Sequence, residues 1–227
     1  MKRSLIVIVL LFSLIGRAQK EGQENAFFTI RGNIGIPRVI GSQMYRTCFA
    51  GLYEGNLSLN LRLFNNFFVG VGYQNSQFQN NKFLKFAYFN TSIPYNTRLQ
   101  MHSPFIKLGY DKFFSDKGYV TFALNSGIML NNYFNVNADT SLSNRPYVIQ
   151  DFSAPYVQPE FAVNFQVDKL LSFSLMLNYT TLFYKFDPKA PRFNHFREVK
   201  DTRNRYFMNW FNIGFGFNVL LNKKSKE

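Results

Sequence analysis

Cysteine is almost absent from this 227-residue chain: Cys48 stands alone, which excludes any intramolecular disulfide. Histidine is nearly as scarce. His102 and His195, widely separated from each other and from Cys48, form no recognisable metal-ligand set, and no glycine-rich phosphate loop is present. No metal and no cofactor is expected. There is one tryptophan, Trp210, and no apolar run of the roughly twenty residues that a membrane-spanning helix needs. Acidic residues number 13 against 26 basic ones. Aromatic side chains, in contrast, are abundant, with 28 Phe and 13 Tyr in a sequence whose mean hydropathy is only -0.16. A sheet in which only alternate residues meet an apolar surroundings has this composition.

Lys2 and Arg3 precede an apolar run from Leu5 to Ile15, and Gly16-Arg17-Ala18 offers small residues at the two positions a signal peptidase reads. Residues 1–18 are therefore expected to be a cleaved secretory signal, with the cut between Ala18 and Gln19. A lipoprotein anchor would need a cysteine just after that cut, and Cys48 lies far downstream. Loss of Lys2, Arg3 and Arg17 leaves 23 basic against 13 acidic residues, a net charge of +10. In a secreted chain such a balance meets anionic membrane lipid before nucleic acid, and nucleic acid is not an expected partner.

The remaining residues alternate. From Tyr53 the odd positions read Tyr53, Gly55, Leu57, Leu59, Leu61, Leu63, and the even ones Glu54, Asn56, Ser58, Asn60, Arg62. Phe64-Asn65-Asn66 makes a tight turn, after which Phe67, Val69, Val71 and Tyr73 resume the apolar face. Six more segments share the pattern, among them Ile106, Leu108 and Tyr110 against Ser103, Lys107 and Asp111, and Phe173, Leu175, Leu177 and Tyr179 against Ser174, Asn178 and Thr180. Connections near 64–66, 115–118 and 168–170 are short; those near 37–47, 79–97, 136–151 and 187–204 are long. The expected fold is all-β, an eight-stranded up-and-down antiparallel transmembrane barrel over residues 19–221 with a short basic tail at 222–227. Its location would be the bacterial outer membrane, with long loops extracellular and both mature termini periplasmic. Pro104 and Pro159, which cannot donate a ladder hydrogen bond, are expected near strand ends or bulges.

The closing segment, Asn212-Ile213-Gly214-Phe215-Gly216-Phe217-Asn218-Val219, is similar to the aromatic terminal signal read by the barrel-assembly machinery. With this segment and its topology the chain resembles the small outer-membrane β-barrel family, of the OmpA/OmpX transmembrane type, across nearly all of residues 19–221. The resemblance implies an assembly signal at Gly214, Phe215, Phe217 and Val219, with the assembly machinery as a partner during biogenesis. Family members commonly end on an aromatic residue, whereas this chain continues past Leu221, so its signal is internal. The Phe, Tyr and Asn content and the Ala-Gln cleavage style are similar to barrels of Bacteroidota.

Strand phase places three cations, Arg31, Arg62 and Lys107, and three anions, Glu54, Asp111 and Glu160, in the interior. Equal numbers predict an ion-pair network that fills the lumen, since an unpaired buried charge costs several kcal/mol. An eight-stranded barrel is just wide enough for such filling, which disfavours a pore. Catalysis lacks a set: His102 and Ser103 are adjacent on one strand and must point to opposite faces, and the His and Ser two apart that a lipid A deacylase of this architecture would carry are missing. His195 lies in a long loop. That loop also holds Lys189, Arg192, Arg197 and Arg203, and the second long loop holds Lys82, Lys85 and Arg98 among aromatics. These cations suit contact with lipid head groups, lipopolysaccharide included, or with other outer-membrane proteins. The favoured expectation is a non-enzymatic barrel with a structural or accessory role in a larger outer-membrane assembly for export, barrel insertion or uptake. The alternatives are a surface binding or adhesion module working through the basic aromatic loops and a lipid-modifying enzyme.

Overall fold

The computed structural model describes residues 27–64, 66–81, 85–88, 91–94, 96–135, 147–168, 170–187, 189 and 207–221. The expected signal segment and basic tail lie outside them. Among the described residues ten strands and one short helix succeed one another: β1 (Phe28–Gly41), α1 (Gln43–Cys48), β2 (Phe49–Phe64), β3 (Phe67–Asn80), β4 (Lys85–Tyr88), β5 (Thr91–Pro94), β6 (Thr97–Phe113), β7 (Gly118–Asn135), β8 (Tyr147–Gln166), β9 (Leu171–Lys185) and β10 (Phe207–Leu221). Eight of the strands close into one antiparallel barrel in chain order, β1 pairing with β10; β4 and β5 form a separate two-stranded hairpin within the connection from β3 to β6. The expected fold is thus the observed one.

The wall is tilted. Directly paired residues lead from Ile30 through Leu59, Val71, Ile106, Ser126, Val157, Thr181 and Asn209 back to β1 at Ile40, ten positions beyond the start. An offset of this size accompanies the strand tilt of about 35–45° in closed barrels. Large apolar side chains cover the outside, with Ile34, Leu57, Val71, Ile106, Ile128, Ile213 and Phe215 all more than half exposed. Some of the tight connections carry their own local chemistry. Asn66, at φ 71°, closes the β2–β3 turn in the left-handed region that asparagine tolerates. Gly41, at φ 80°, ends β1, and Ser42 caps α1 by accepting a hydrogen bond from the Tyr45 backbone N–H at 3.3 Å.

Two expectations are corrected. The stretch 37–47 is not a long loop: β1 continues to Gly41, and α1 then folds back against the barrel mouth, burying Met44, Tyr45 and Cys48. Pro37 is compatible with this because the β1–β2 ladder has already ended at Gly35, while β1–β10 pairing runs on to Gly41. The other correction concerns Pro104 and Pro159, which sit within strands rather than near their ends. The β6–β7 register passes over Ser103 and Pro104 and the β8–β9 register passes over Gln158 and Pro159, while each proline keeps its place opposite the other neighbour, Tyr73 and Leu124 respectively. A proline needs only one silent flank, and each strand supplies one.

Several strands are longer than the 9–11 residues that a tilted crossing requires: β6 has 17, β7 18 and β8 20. The excess lies at the loop end, where the alternation changes sense. On β6 the inward residues are Ser103, Lys107 and Asp111 toward the turn end but Leu99 and Met101 toward the loops, while the outward ones change from Ile106 and Leu108 to Arg98, Gln100 and His102. The barrel therefore has two storeys. On β3 and β6 one storey is greasy outside and polar inside and the other is polar outside and greasy inside, whereas Leu130, Phe183 and Phe207 keep apolar side chains on the outside of β7, β9 and β10 at the upper level.

Candidate functional site

The six interior charges predicted from strand phase all lie in the lumen, in three groups of unequal balance. Asp111 serves two cations: one oxygen receives Arg31 at 2.5 Å and Arg62 at 3.2 Å, and the other accepts from the Thr121 hydroxyl at 2.7 Å. Aromatic faces back the guanidinium groups, with Arg31 4.2 Å from the Phe68 ring centre and Arg62 5.8 Å from that of Phe113. Lys107 donates to both oxygens of Glu160, at 2.7 and 2.9 Å, and Asn125 donates to one of them at 3.1 Å. Glu54 is fully buried with no cation at salt-bridge distance among the described residues. Four neutral donors surround it instead: Trp210 Nε1 at 2.7 Å, Ser76 Oγ at 3.0 Å, Gln158 Nε2 at 3.2 Å and Asn212 Nδ2 at 3.3 Å. Equal totals of charge therefore conceal a two-to-one cluster, a pair and a lone carboxylate.

Amides and hydroxyls fill the space between these groups. Near the turn end, Asn218 donates to Tyr119 Oη, Asn164 Oδ1 and Ser172 Oγ. Inward glycines make room for rings: a Cβ on Gly72 would strike Phe105, and one on Gly109 would strike Phe68. Above Glu54 the lumen turns apolar. Phe49, Phe78, Leu99, Met101, Met129, Tyr133, Tyr156, Leu182, Met208 and Trp210 form one packed cluster, and Tyr45 and Cys48 of α1 close it. Burial pushes the Cys48 thiol up to about 12, so this thiol is an inert packing group at neutral pH. Sequence reasoning missed this plug. Its signal was available as apolar residues on the inward phase, Phe78, Leu99, Met101 and Met208, beyond the point where the outward phase turns polar.

The other predicted residues are scattered. Gly214 faces inward, close to the β1 backbone, while Phe215 and Phe217 lie exposed on the outer wall with Val219 beside them. Arg98 and Lys189 are exposed at the loop end. Lys85 belongs to β4; Lys82, Arg192, Arg197 and Arg203, together with His195, lie outside the described residues. His102 faces out and Ser103 faces in, fully buried, so the two form no pair. A second feature not read from sequence surrounds His102. Tyr73 Oη lies 2.5 Å and Asn75 Nδ2 2.9 Å from its Nδ1, and Tyr53 Oη donates to Asn75 Oδ1 at 2.6 Å. These four side chains form a hydrogen-bonded cluster on the outside of the wall.

No protein-family model matches the sequence, and no curated protein matches it. Among solved structures the chain is similar to the Neisserial surface protein A (12% identity, TM-score 0.49, covering 86% of this chain and 98% of that one). It is also similar to the attachment invasion locus protein Ail of Yersinia pestis, solved with the heparin analogue sucrose octasulfate (11% identity, TM-score 0.42, 86% and 99% covered), and to the outer-membrane protease OmpT of Escherichia coli (10% identity, TM-score 0.41, 87% and 99% covered). The closed eight-stranded barrel with an apolar outer belt is the architecture of the small outer-membrane β-barrels.

Proposed function

We propose that this chain is a non-enzymatic barrel of the bacterial outer membrane, with loops extracellular and termini periplasmic, that serves a structural or accessory role within a larger outer-membrane assembly. The observation that supports the reading is the occupied lumen, where polar and charged side chains lie below a packed apolar plug, and this turns attention to the outer surfaces. Two measurements test it. In planar bilayers the purified protein is expected to give no large, stable single-channel steps; such steps would mean that the lumen conducts. Native pull-down with mass spectrometry after mild detergent extraction is expected to recover other outer-membrane proteins, and a strictly monomeric profile would overturn the accessory role. Biogenesis would depend on the outward aromatics of β10. Phe215→Ser with Phe217→Ser should slow membrane insertion without altering the lumen.

A further inference from the structure

The boundary between apolar and polar on the outer wall runs straight across two strands. On β3 the outward residues from the turn end upward are Val69, Val71 and Tyr73, then Asn75, Gln77 and Gln79; on β6 they are Leu108, Ile106 and Pro104, then His102, Gln100 and Arg98. The register makes these one series of rungs, with Val71 opposite Ile106, Tyr73 opposite Pro104, Asn75 opposite His102, Gln77 opposite Gln100, and Gln79 opposite Arg98. Below Tyr73 the wall offers only an apolar surface; above it come three polar rungs. They extend about 13 Å along the strands, from four residue steps of 3.3 Å each.

The first polar rung is held rigidly. Tyr53 fixes the Asn75 amide by donating to its oxygen, which turns the amide nitrogen toward His102 Nδ1, and the Tyr73 hydroxyl reaches the same atom. Because the Asn75 amide nitrogen can only donate, Nδ1 accepts from it in the tautomer whose proton sits on Nε2, across the ring from the cluster. Above stand three amides that can donate or accept, those of Gln77, Gln100 and Gln79, and the Arg98 guanidinium. Among the described residues, no outward side chain of β2, β3 or β6 is a carboxylate.

We propose that Tyr73, Asn75, His102, Gln77, Gln100 and Arg98 form the seat of one phosphorylated glycolipid headgroup of the outer leaflet. This rests on the outer-membrane placement proposed above. A lipid covers both halves of the surface at once: its acyl chains lie on Val69, Val71, Ile106 and Leu108, and its headgroup begins at the rung where polarity begins. Sugar hydroxyls match the amides and the imidazole Nε2–H, and a phosphate matches Arg98. The polar rungs are too extended for a bare phosphate to occupy.

Native mass spectrometry of the full chain in mild detergent, titrated with bis-phosphorylated lipid A, its dephosphorylated form or phosphatidylglycerol, tests the assignment. One equivalent of bis-phosphorylated lipid A should be retained in preference to both controls. The R98A/Q100A/H102A variant should lose about tenfold in retention, and Arg38→Ala, an exposed cation on β1, should lose none. Asn75→Asp, nearly isosteric, should weaken retention by adding a negative charge beside the headgroup, and it decides the matter if the triple variant does not fold. Unchanged retention in the variants, an equal loss with Arg38→Ala, or equal retention of phosphatidylglycerol would overturn the seat; so would capture of an acidic protein in place of lipid. Retention is scored on the solubilised chain, so its outcome is separate from whether the barrel conducts or joins an assembly.

Discussion

Replacing Lys107 by Met measures how dry the lower storey is. Lys107 Nζ is fully buried and holds both Glu160 oxygens at 2.7 and 2.9 Å; once it is gone, Asn125 at 3.1 Å is the direct donor left to that carboxylate. Stranding one member of a buried pair costs about 3–5 kcal/mol, whereas replacing both members with neutral groups of similar volume is often close to neutral. Lys107→Met should therefore destabilise the barrel by about 3–5 kcal/mol, and adding Glu160→Gln should restore most of the loss. Urea unfolding in lipid vesicles can be followed through Trp210, the sole tryptophan, which is fully buried in the folded barrel and enters water when it unfolds. A loss under about 1 kcal/mol for the single substitution, or strict additivity in the double one, would show that water screens the pair and that the lumen is not packed.

Glu54 makes a second test of the same interior. Glu54→Leu strands four donors and should cost more than Glu54→Gln, which leaves mainly the Trp210 N–H without its acceptor, at about 1–3 kcal/mol; equal losses would mean that these donors find water. Cys48, with its thiol raised to about 12 from an ordinary 9, should resist maleimide between pH 7 and 9 while folded and label at once in urea. Because the folded state holds this proton more tightly than the unfolded one, stability should fall as pH rises from 9 toward 12; labelling of the folded barrel at pH 8 would contradict the burial. Asn66→Val should lower stability by about 1–2 kcal/mol through its left-handed backbone, and Asn66→Gly should be tolerated; equal unfolding midpoints for the two would show that the turn relaxes.

The lower storey was legible because two signals coincide there: period-two alternation and a consistent sense, with Leu57, Leu59 and Leu61 outward against Glu54, Asn56 and Ser58 inward. Phase alone placed Arg31, Arg62, Lys107, Asp111, Glu160 and Glu54 in the lumen. It could not pair them. Partnership depends on height in a tilted wall, and Glu54 meets Trp210 and Asn212 across more than 150 residues of sequence. The upper storey was illegible for a different reason. Period two continues through Leu99, Met101 and Phe105, yet apolar residues were equated with the outer face, and that equation reverses where the strand leaves the apolar belt. The start of the first connection at residue 37 was illegible for another reason: beyond Gly35 β1 pairs only with β10, and it runs on to Gly41.

The reversal also ties the plug to the outer cluster. His102, Gln100 and Arg98 alternate along β6 with Met101 and Leu99, which are buried in the plug, and Asn75 and Gln77 are followed on β3 by Phe78, buried in the same cluster. Gln77, Gln100 and Arg98 are thus carried by backbone next to residues locked into the apolar core, whereas Asn75 stands between inward Gln74 and Ser76, which bond to each other and to Glu54, and its outer face is ordered by Tyr53 and Tyr73. A polar wall backed by a polar, hydrated lumen would let these strands move; one backed by packed rings and thioethers does not. Weakening the plug without touching the seat separates the two roles. Met101→Ala removes buried volume between His102 and Gln100 and is expected to cost about 2–5 kcal/mol of stability. If the plug positions the seat, lipid A retention should fall as well in the folded variant, although no headgroup contact has been removed. Retention that stays at the wild-type level despite the lost stability would show that the outer hydrogen bonds of Tyr53, Tyr73, Asn75 and His102 are sufficient by themselves to hold the site.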